Sequence, residues 1–359
     1  MNSLSFVDSE KIYLRFCWFI VFFLIPFLSC ICSLGSIAPV NDVLFLGGTG
    51  FVGCCFSDLL IESDYSFTFS SRGTFVSENP GFRFPIPHHV VWDVATSSKL
   101  EPDFKVIIHA ATPASALLNA TQPEKMFEQN IRAMENVIEF AGRHDVPPIV
   151  LFTSSGAVYG DMPQGLERIP EGWKQEMGSQ PLASAYARGK IAAETMLQEA
   201  TESGKCVGLI ARLFAFSGVH LPIDKHFAIG NFVRDVVQSQ LITIRSDGSS
   251  VRSYMDGHDL AKWLLRITEA GSPDEIYHVG SERAISIRDL ASLVAKRYEI
   301  LTGQAVKVET LGESSPLDGV SRYVPSTYRT RQLLGLAETV TLENSIDQMI
   351  LHTINSGFK

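Results

Sequence analysis

Val43-Leu-Phe-Leu-Gly-Gly-Thr-Gly-Phe-Val-Gly53 decides how the rest of this chain reads. Its first four residues are apolar and read as a buried strand. Gly47, Gly50 and Gly53 follow at regular spacing, and the pattern then turns helical through Phe56, Leu59 and Leu60. A strand, a tight turn and a helix in that order open a dinucleotide-binding βαβ unit. The first glycine permits the turn, the second lets backbone approach a pyrophosphate, and the third lets the helix sit close to the sheet. The N–H groups at the helix start, around Phe51 and Val52, favour an anion. A plain strand–helix turn is the competing reading.

The 359 residues are enough for two domains, or for one large α/β unit with a lobe. With 30 basic and 39 acidic residues the net charge is −9, and basic runs are lacking, which argues against a nucleic-acid partner. None of the six cysteines has zinc spacing or a disulfide framework, so no metal is expected and the thiols read as reduced and buried. Residues 1–41 stand apart. Cys17 to Ile31 carries no charge, and the apolar stretch over 14–34 reads as a membrane segment, a signal-like leader ending near Ser36-Ile-Ala38, or an extension outside the fold. The expectation is a cytoplasmic catalytic domain, with membrane association through 14–34 kept open. On that basis the acceptor pattern Asn119-Ala-Thr121 is discounted as a glycosylation site.

Downstream, Tyr65 to Ser70 alternates as a second strand and ends at Ser71-Arg72. An NAD enzyme usually places an acid there for the ribose hydroxyls; an arginine beside a hydroxyl suits a 2′-phosphate. NADP is therefore expected, with NAD as the alternative and a plain surface arginine as the bland reading. Val90 to Val94 reads as strand three and Lys105 to Ala110 as strand four. His109 lies in a strand covered on both faces and reads as a core residue rather than an acid or base. A helix spans 123–143, and strand five delivers Ser154-Ser155-Gly156-Ala157-Val158-Tyr159-Gly160 to the sheet's carboxyl edge, where ligands bind. Then comes Tyr186-Ala-Arg-Gly-Lys190. Positions i and i+4 share a helix face. An ammonium near a phenol favours the phenolate, making tyrosine a usable acid or base. Ser155, Tyr186 and Lys190 are the catalytic candidates.

The Gly-x-x-Gly-x-x-Gly turn, the serine-rich end of strand five and Tyr-x-x-x-Lys, in this order, resemble the extended short-chain dehydrogenase/reductases, the NAD-dependent epimerase/dehydratase family. The resemblance covers about 42–355. It implies a doubly wound parallel α/β sheet over 42–213, with part of 257–282 returning to it, and a smaller substrate lobe mainly over 214–359. It implies that Asp93-Val94 lies beside adenine, that Ala110-Ala111 lines the cofactor, that Asn130 supports the active site, and that Phe214 marks the turn into the lobe. In the lobe, Asn231 on a helix over 227–240 is a substrate-side candidate. Residues 242–259 resemble a hairpin whose Arg252 contacts a diphosphate, and Arg322 is the second arginine of that kind. Leu333 to Leu336 resembles a terminal Leu-Gly turn. The implied partner is a nucleoside-diphosphate sugar, and the implied assembly a homodimer through the helices around 123–143 and 184–202. Nucleotide-sugar 4,6-dehydratases resemble one another in an Asp-Glu pair before Val-Tyr-Gly, and UDP-glucuronate decarboxylases tend to keep the glutamate. Gly156 and Ala157 stand there in this chain, leaving hydride and proton transfer at one carbon. A 4-keto reductase is favoured, then a 4-epimerase, then an NADP-binding protein without turnover.

Overall fold

A computed structural model describes residues 43–59, 66–73, 88–101, 103–173, 184–225, 227–312 and 320–357. In chain order they form β1 (Val43–Leu46), α1 (Phe51–Leu59), β2 (Phe67–Ser71), β3 (His88–Val91), β4 (Val106–His109), α2 (Ala116–Thr121), α3 (Pro123–Ala141) and β5 (Ile149–Ser155). A 3-10 turn over Gly156–Tyr159 leads on to α4 (Ala185–Glu202), β6 (Val207–Leu213), β7 (Phe216–Ser217), α5 (Ala228–Ser239), β8 (Leu241–Ile244), β9 (Val251–Arg252), β10 (Met255–Asp256) and α6 (Gly257–Ala270). The chain finishes through β11 (Ile276–Val279), β12 (Ile285–Ser286), α7 (Ile287–Thr302), β13 (Lys307–Thr310), β14 (Arg322–Tyr323), α8 (Tyr328–Leu334) and α9 (Leu342–Asn355).

Seven strands make one sheet in the order β11-β6-β5-β4-β1-β2-β3, every pairing parallel. The chain runs outward from β1 through β2 to β3, returns past β1 to β4, and continues to β11. This doubly wound order creates a switch point at the carboxyl ends of β1 and β4, where ligands bind in such sheets. Helices cover both faces, so the strands are apolar without alternation. On one face Leu44, Leu46, Ile107, Val150 and Phe152 pack against Met134, Val137 and Phe140 of α3 and Leu197 of α4. On the other, Phe45 packs its ring on Phe56 of α1 and Phe69 of β2, at 4.8 and 5.4 Å between centroids. A second core joins α5, α7, α9 and β8 through Val233, Ile242, Ile244, Val294 and Ile346.

Strand three lies at 88–91 rather than at 90–94. Asp93 ends it, accepting from Ala95 N at 3.0 Å through Oδ1 and from Thr96 N at 2.8 Å through its carbonyl. The hairpin expected over 242–259 is also different. β8 pairs in parallel with β13, while β9 pairs with β12 and β14, because Ile242 and Ile244 are drawn into the lobe core. Asp256 caps α6 by accepting from His258 N at 2.8 Å. Residues 257–279 come back to the sheet, where β11 pairs with β6.

The membrane association kept open for this chain is corrected: among the described residues no helix is long and apolar enough to cross a membrane. The segment over 14–34, and all of the stretch 1–41, lies outside the described residues. The described cysteines, Cys54, Cys55 and Cys206, are buried and unpaired. Burial, with Asp58 nearby, pushes the Cys54 thiol up to about 12.

Candidate active site

The glycine turn is built by close approach. Gly47 has φ +89°, and a Cβ there would lie 2.7 Å from the Ala110 carbonyl oxygen. A Cβ on Gly53 would lie 2.2 Å from the Gly48 carbonyl oxygen, so the third glycine lets α1 fold back on the loop itself rather than on the sheet. Gly48 is tight as well: its Cβ would meet Phe69 at 2.7 Å. Gly50 has only the Gly47 carbonyl oxygen nearby, at 3.2 Å.

A cavity of about 240 Å³ opens over this turn. It brings together Gly47, Gly50, Arg72, Asp93, Val94, Ala110 and Ala111 from four strand ends. Thr49, Ser71, Trp92, Thr112 and Gln129 line it too. Ser71 is held by a 2.8 Å hydrogen bond with His89, and β2 ends in Ser71-Arg72 with Asp93 of the next strand's end lining the same cavity. The glycine cradle, which a side chain would fill, and the cluster of small residues at the β4 turn fit a dinucleotide. Phe51, Val52 and Gly53 shape the start of α1 without lining the cavity. Phe51 packs on Phe216 at 6.1 Å.

Thr112 connects this cavity to the second half of the site. Lys190 Nζ donates to Thr112 Oγ1 at 2.6 Å and to the Thr153 carbonyl at 2.7 Å. The lysine is 2% exposed, lies over the Phe152 ring at 4.6 Å, and sits 5.7 Å from the Tyr186 ring centre. Burial pushes its pKa down to about 7, with Glu194 working the other way. Tyr186 is half-buried on the same helix, one turn before Lys190. Burial raises the Tyr186 pKa above the ordinary phenol range, and the Ser155 bond opposes that shift. The Lys190 ammonium reaches Thr112 and Thr153 while lying on the Tyr186 side of the helix. Ser155 caps the 3-10 turn by accepting from Ala157 N at 3.2 Å. Asn119 Oδ1 accepts from Tyr186 N at 3.0 Å and Ser184 from Ala187 N at 3.2 Å, fixing the first turn of α4. The formal glycosylation asparagine therefore serves the helix that carries Tyr186 and Lys190.

Asn130 is fully buried against α4; a Cβ on Gly189 would lie 2.9 Å from its Cβ. Its amide donates to the Met126 carbonyl at 2.8 Å. His109 is fully buried, stacks on Phe152 at 5.4 Å, and is pushed down to about 3 by burial and by Lys190. It is a neutral core residue.

Next to Ser155 and Lys190, a buried polar chain starts at Ser154. Ser154 donates to Glu194 at 2.5 Å, and Arg212 grips Glu194 with Nε at 3.0 Å and Nη2 at 2.6 Å. Arg212 Nη1 donates to the Tyr159 hydroxyl at 2.7 Å. The Tyr159 hydroxyl lies 2.6 Å from His278 Nε2, whose Nδ1 lies 2.9 Å from the Ser326 carbonyl. A carbonyl only accepts, so Nδ1 carries the proton and Tyr159 donates to Nε2. Burial holds His278 neutral, at about 3. Burial works against the Arg212 charge, but Glu194 and Tyr159 hold its pKa raised.

The lobe side was harder to anticipate. Phe214 packs on His278 and Tyr323, at 5.1 and 4.9 Å, and lies beneath the catalytic row rather than in the cavity. Arg252 Nη1 donates to the carbonyls of Val251 (2.8 Å) and Ser321 (3.1 Å). Parallel pairing sets Arg252 opposite Tyr323 and Val251 opposite Arg322. Paired residues share a sheet face and consecutive ones do not. Arg322 therefore faces away from Arg252, and its Nε donates to the Glu167 carbonyl at 2.7 Å. The structure does not bring the two arginines together; Tyr323 holds the place beside Arg252. Asn231 accepts from Arg234 at 3.1 Å, in the first turn of α5. No cluster of His, Cys, Asp and Glu among the described residues could hold a metal ion.

A family model described as the NAD dependent epimerase/dehydratase family matches residues 43–280. The UDP-glucuronic acid decarboxylase 3 of Arabidopsis thaliana is 26% identical over 87% of this chain and 88% of its own. Among solved structures, a UDP-glucose 4-epimerase of Thermotoga maritima with UDP-glucose superposes with TM-score 0.73 at 19% identity, over 88% of this chain and 99% of that one. RMD from Pseudomonas aeruginosa, complexed with NADPH, gives 0.69 at 20% identity, over 88% and 100%.

Proposed function

The chain belongs to the NAD dependent epimerase/dehydratase family, and on that footing we propose that it transfers hydride between NADP and C4 of a nucleoside-diphosphate sugar, as a 4-keto reductase. The observation that carries this reading is the row Ser155–Tyr186–Lys190 beside the glycine cavity, with no acid at Gly156 or Ala157. The bound reduced nicotinamide supplies the hydride. Tyr186, kept protonated by its raised pKa, donates the phenolic proton to the sugar oxygen as the carbonyl becomes an alcohol. Ser155 hydrogen-bonds that oxygen and steadies the phenolate left behind. Lys190, 5.7 Å from the ring centre, offsets the same charge when protonated and would hold the nicotinamide ribose of a bound dinucleotide. Elimination of water would need further groups that transfer protons, and neither Gly156 nor Ala157 can do so.

Arg72 at the cavity wall supports NADP over NAD. Arg252, facing the same side as Tyr323, is the candidate for the diphosphate. A homodimer through α3 and α4 belongs to this proposal, and light scattering of the purified chain tests it. The activity test is incubation with a nucleoside-diphospho-4-keto-6-deoxyhexose, with UDP-glucose and with UDP-glucuronate, each with either dinucleotide. Stoichiometric loss of NADPH on the first substrate is the expected result. Interconversion of UDP-glucose without net oxidation would make the chain an epimerase. Release of carbon dioxide from UDP-glucuronate would put it with the decarboxylases it resembles, and either outcome overturns the reductase.

A further inference from the structure

Among the described residues, Thr112 is the side chain that both lines the glycine cavity and hydrogen-bonds Lys190. It lies just past the end of β4, half-buried, next to Ala110 and Ala111. Its Oγ1 accepts from Lys190 Nζ at 2.6 Å. The other acceptor, at 2.7 Å, is the Thr153 carbonyl, a main-chain atom that no substitution removes. Glu194, one turn further along α4, is already engaged: its oxygens take Ser154 at 2.5 Å and Arg212 at 3.0 and 2.6 Å. The ammonium of a lysine only 2% exposed therefore rests on two neutral oxygens, and a buried charge is costly without such bonds. Thr112 is suited to keep its oxygen in place. Its side chain is β-branched, and Pro113 after it favours an extended backbone at 112.

We infer that Thr112 is a positioning residue of this site: its hydroxyl oxygen holds the Lys190 ammonium at the wall of the glycine cavity, and through that lysine it acts on a bound dinucleotide and on Tyr186. The inference rests on the reading of Lys190 as the group that holds the nicotinamide ribose and offsets the phenolate. An ammonium has three protons and no lone pair. Two of them go to Thr112 and Thr153, which leaves the third for a ribose hydroxyl. Without the Thr112 oxygen, one N–H of a buried cation has no acceptor. Hydrogen bonds to a charged form favour that form, so their loss favours the neutral amine. A neutral amine cannot offset a phenolate. Thr112 itself neither gains nor loses a proton. The other titratable groups around Lys190 are Tyr186 and Glu194 on α4 and His109 on β4. His109 is neutral, and Glu194 is gripped by Arg212, so substitution at 112 leaves all three in place.

Thr112→Val keeps the branched shape and removes only the hydroxyl, Thr112→Ala removes the same oxygen without a methyl in its place, and Thr112→Ser retains it. In reduction of a nucleoside-diphospho-4-keto-6-deoxyhexose, valine and alanine should lower kcat about ten- to hundredfold, with KM for the nucleotide sugar within about threefold. Serine should restore kcat to within about threefold of wild type. Lys190, at about 7, titrates before Tyr186, whose pKa is raised, so the alkaline limb of the rate profile reports the lysine. Reduction fails as pH rises through the Lys190 pKa, and losing a hydrogen bond to the ammonium lowers that pKa. The alkaline limb should therefore move to lower pH with valine or alanine and stay in place with serine. In a Lys190→Met background Thr112→Val should cost no more than about twofold, because its route to the site is gone. Equal cost with and without Lys190, failure of serine to rescue, or an unmoved alkaline limb would overturn the inference. If wild type turns over no nucleotide sugar, the functional reading falls, but Thr112 is still decided by NMR titration of protein with lysine labelled at Cε. The Lys190 resonance is the one missing from Lys190→Met. Lys190 titrating at lower pH in Thr112→Val or Thr112→Ala than in wild type upholds the inference, and an unchanged titration ends it.

Discussion

Replacing Gly53 by alanine places a methyl group where the structure has loop backbone. Its Cβ would lie 2.2, 2.5 and 2.6 Å from the carbonyl oxygen, carbonyl carbon and Cα of Gly48. These are main-chain atoms, so the overlap cannot be relieved by a side-chain rotation. Overpacking of this kind costs about 1–3 kcal/mol, and alanine in a helix recovers up to ~1 kcal/mol relative to glycine. The net expectation is destabilisation by about 1–2 kcal/mol, or roughly 5–30-fold in the population of the native turn. Because that turn forms the cavity floor, dinucleotide affinity should fall by the same order. Gly50→Ala is the control. Its nearest foreign atom is one carbonyl oxygen at 3.2 Å, yet Gly50 lines the cavity. It should leave the unfolding midpoint nearly unchanged and weaken only the dinucleotide. Chemical denaturation with NADPH fluorescence titration on both variants separates the two effects. A Gly53→Ala protein with wild-type stability and affinity would refute the close-approach argument.

Tyr186→Phe should bind dinucleotide normally and lose turnover by several orders of magnitude in steady-state assays, since the ring still packs but has no proton to give. Arg72→Asp should weaken NADP far more than NAD in parallel titrations; a wild type that prefers NAD would already contradict the role given to Arg72. Arg212→Met leaves the Glu194 carboxylate buried without its bidentate partner, and denaturation should show a loss of about 3–5 kcal/mol. Lys190 has a folded pKa pushed down from 10.5 to about 7, so between these values the unfolded chain binds more protons. Wild-type stability relative to Lys190→Met should therefore rise with pH from about 7 to 10, and a flat difference would show that the lysine is not so strongly desolvated.

What the sequence made legible was local. The glycine turn, the serine-rich end of β5 and the tyrosine–lysine pair each fit within one strand–turn or one helical turn, so their spacing and their order along the chain carried them. Thr112 and Ser71 were within reach of the same reasoning, because both follow strands of the parallel sheet. The lobe was not legible in that way. Whether residue 322 or 323 shares a face with Arg252 depends on how a two-residue strand pairs with β9, a contact between distant parts of the chain. The parallel pairing of β8 with β13 is non-local too, and residues 242–259 taken alone look like a hairpin. Gly53 was singled out as the glycine that lets the helix approach the sheet, but the atoms it avoids belong to Gly48, which only the folded turn reveals. Asn119 offered only a formal, discounted glycosylation pattern, because its bond to the Tyr186 backbone spans α2 to α4.

The central claim is hydride transfer to sugar C4. The most direct measurement uses NADPH carrying deuterium at the transferable position, together with a nucleoside-diphospho-4-keto-6-deoxyhexose, and locates the label in the product by NMR. The account predicts one deuterium at C4 for each NADPH consumed, and none with Tyr186→Phe. Deuterium at another carbon, or a product formed without label, would contradict it.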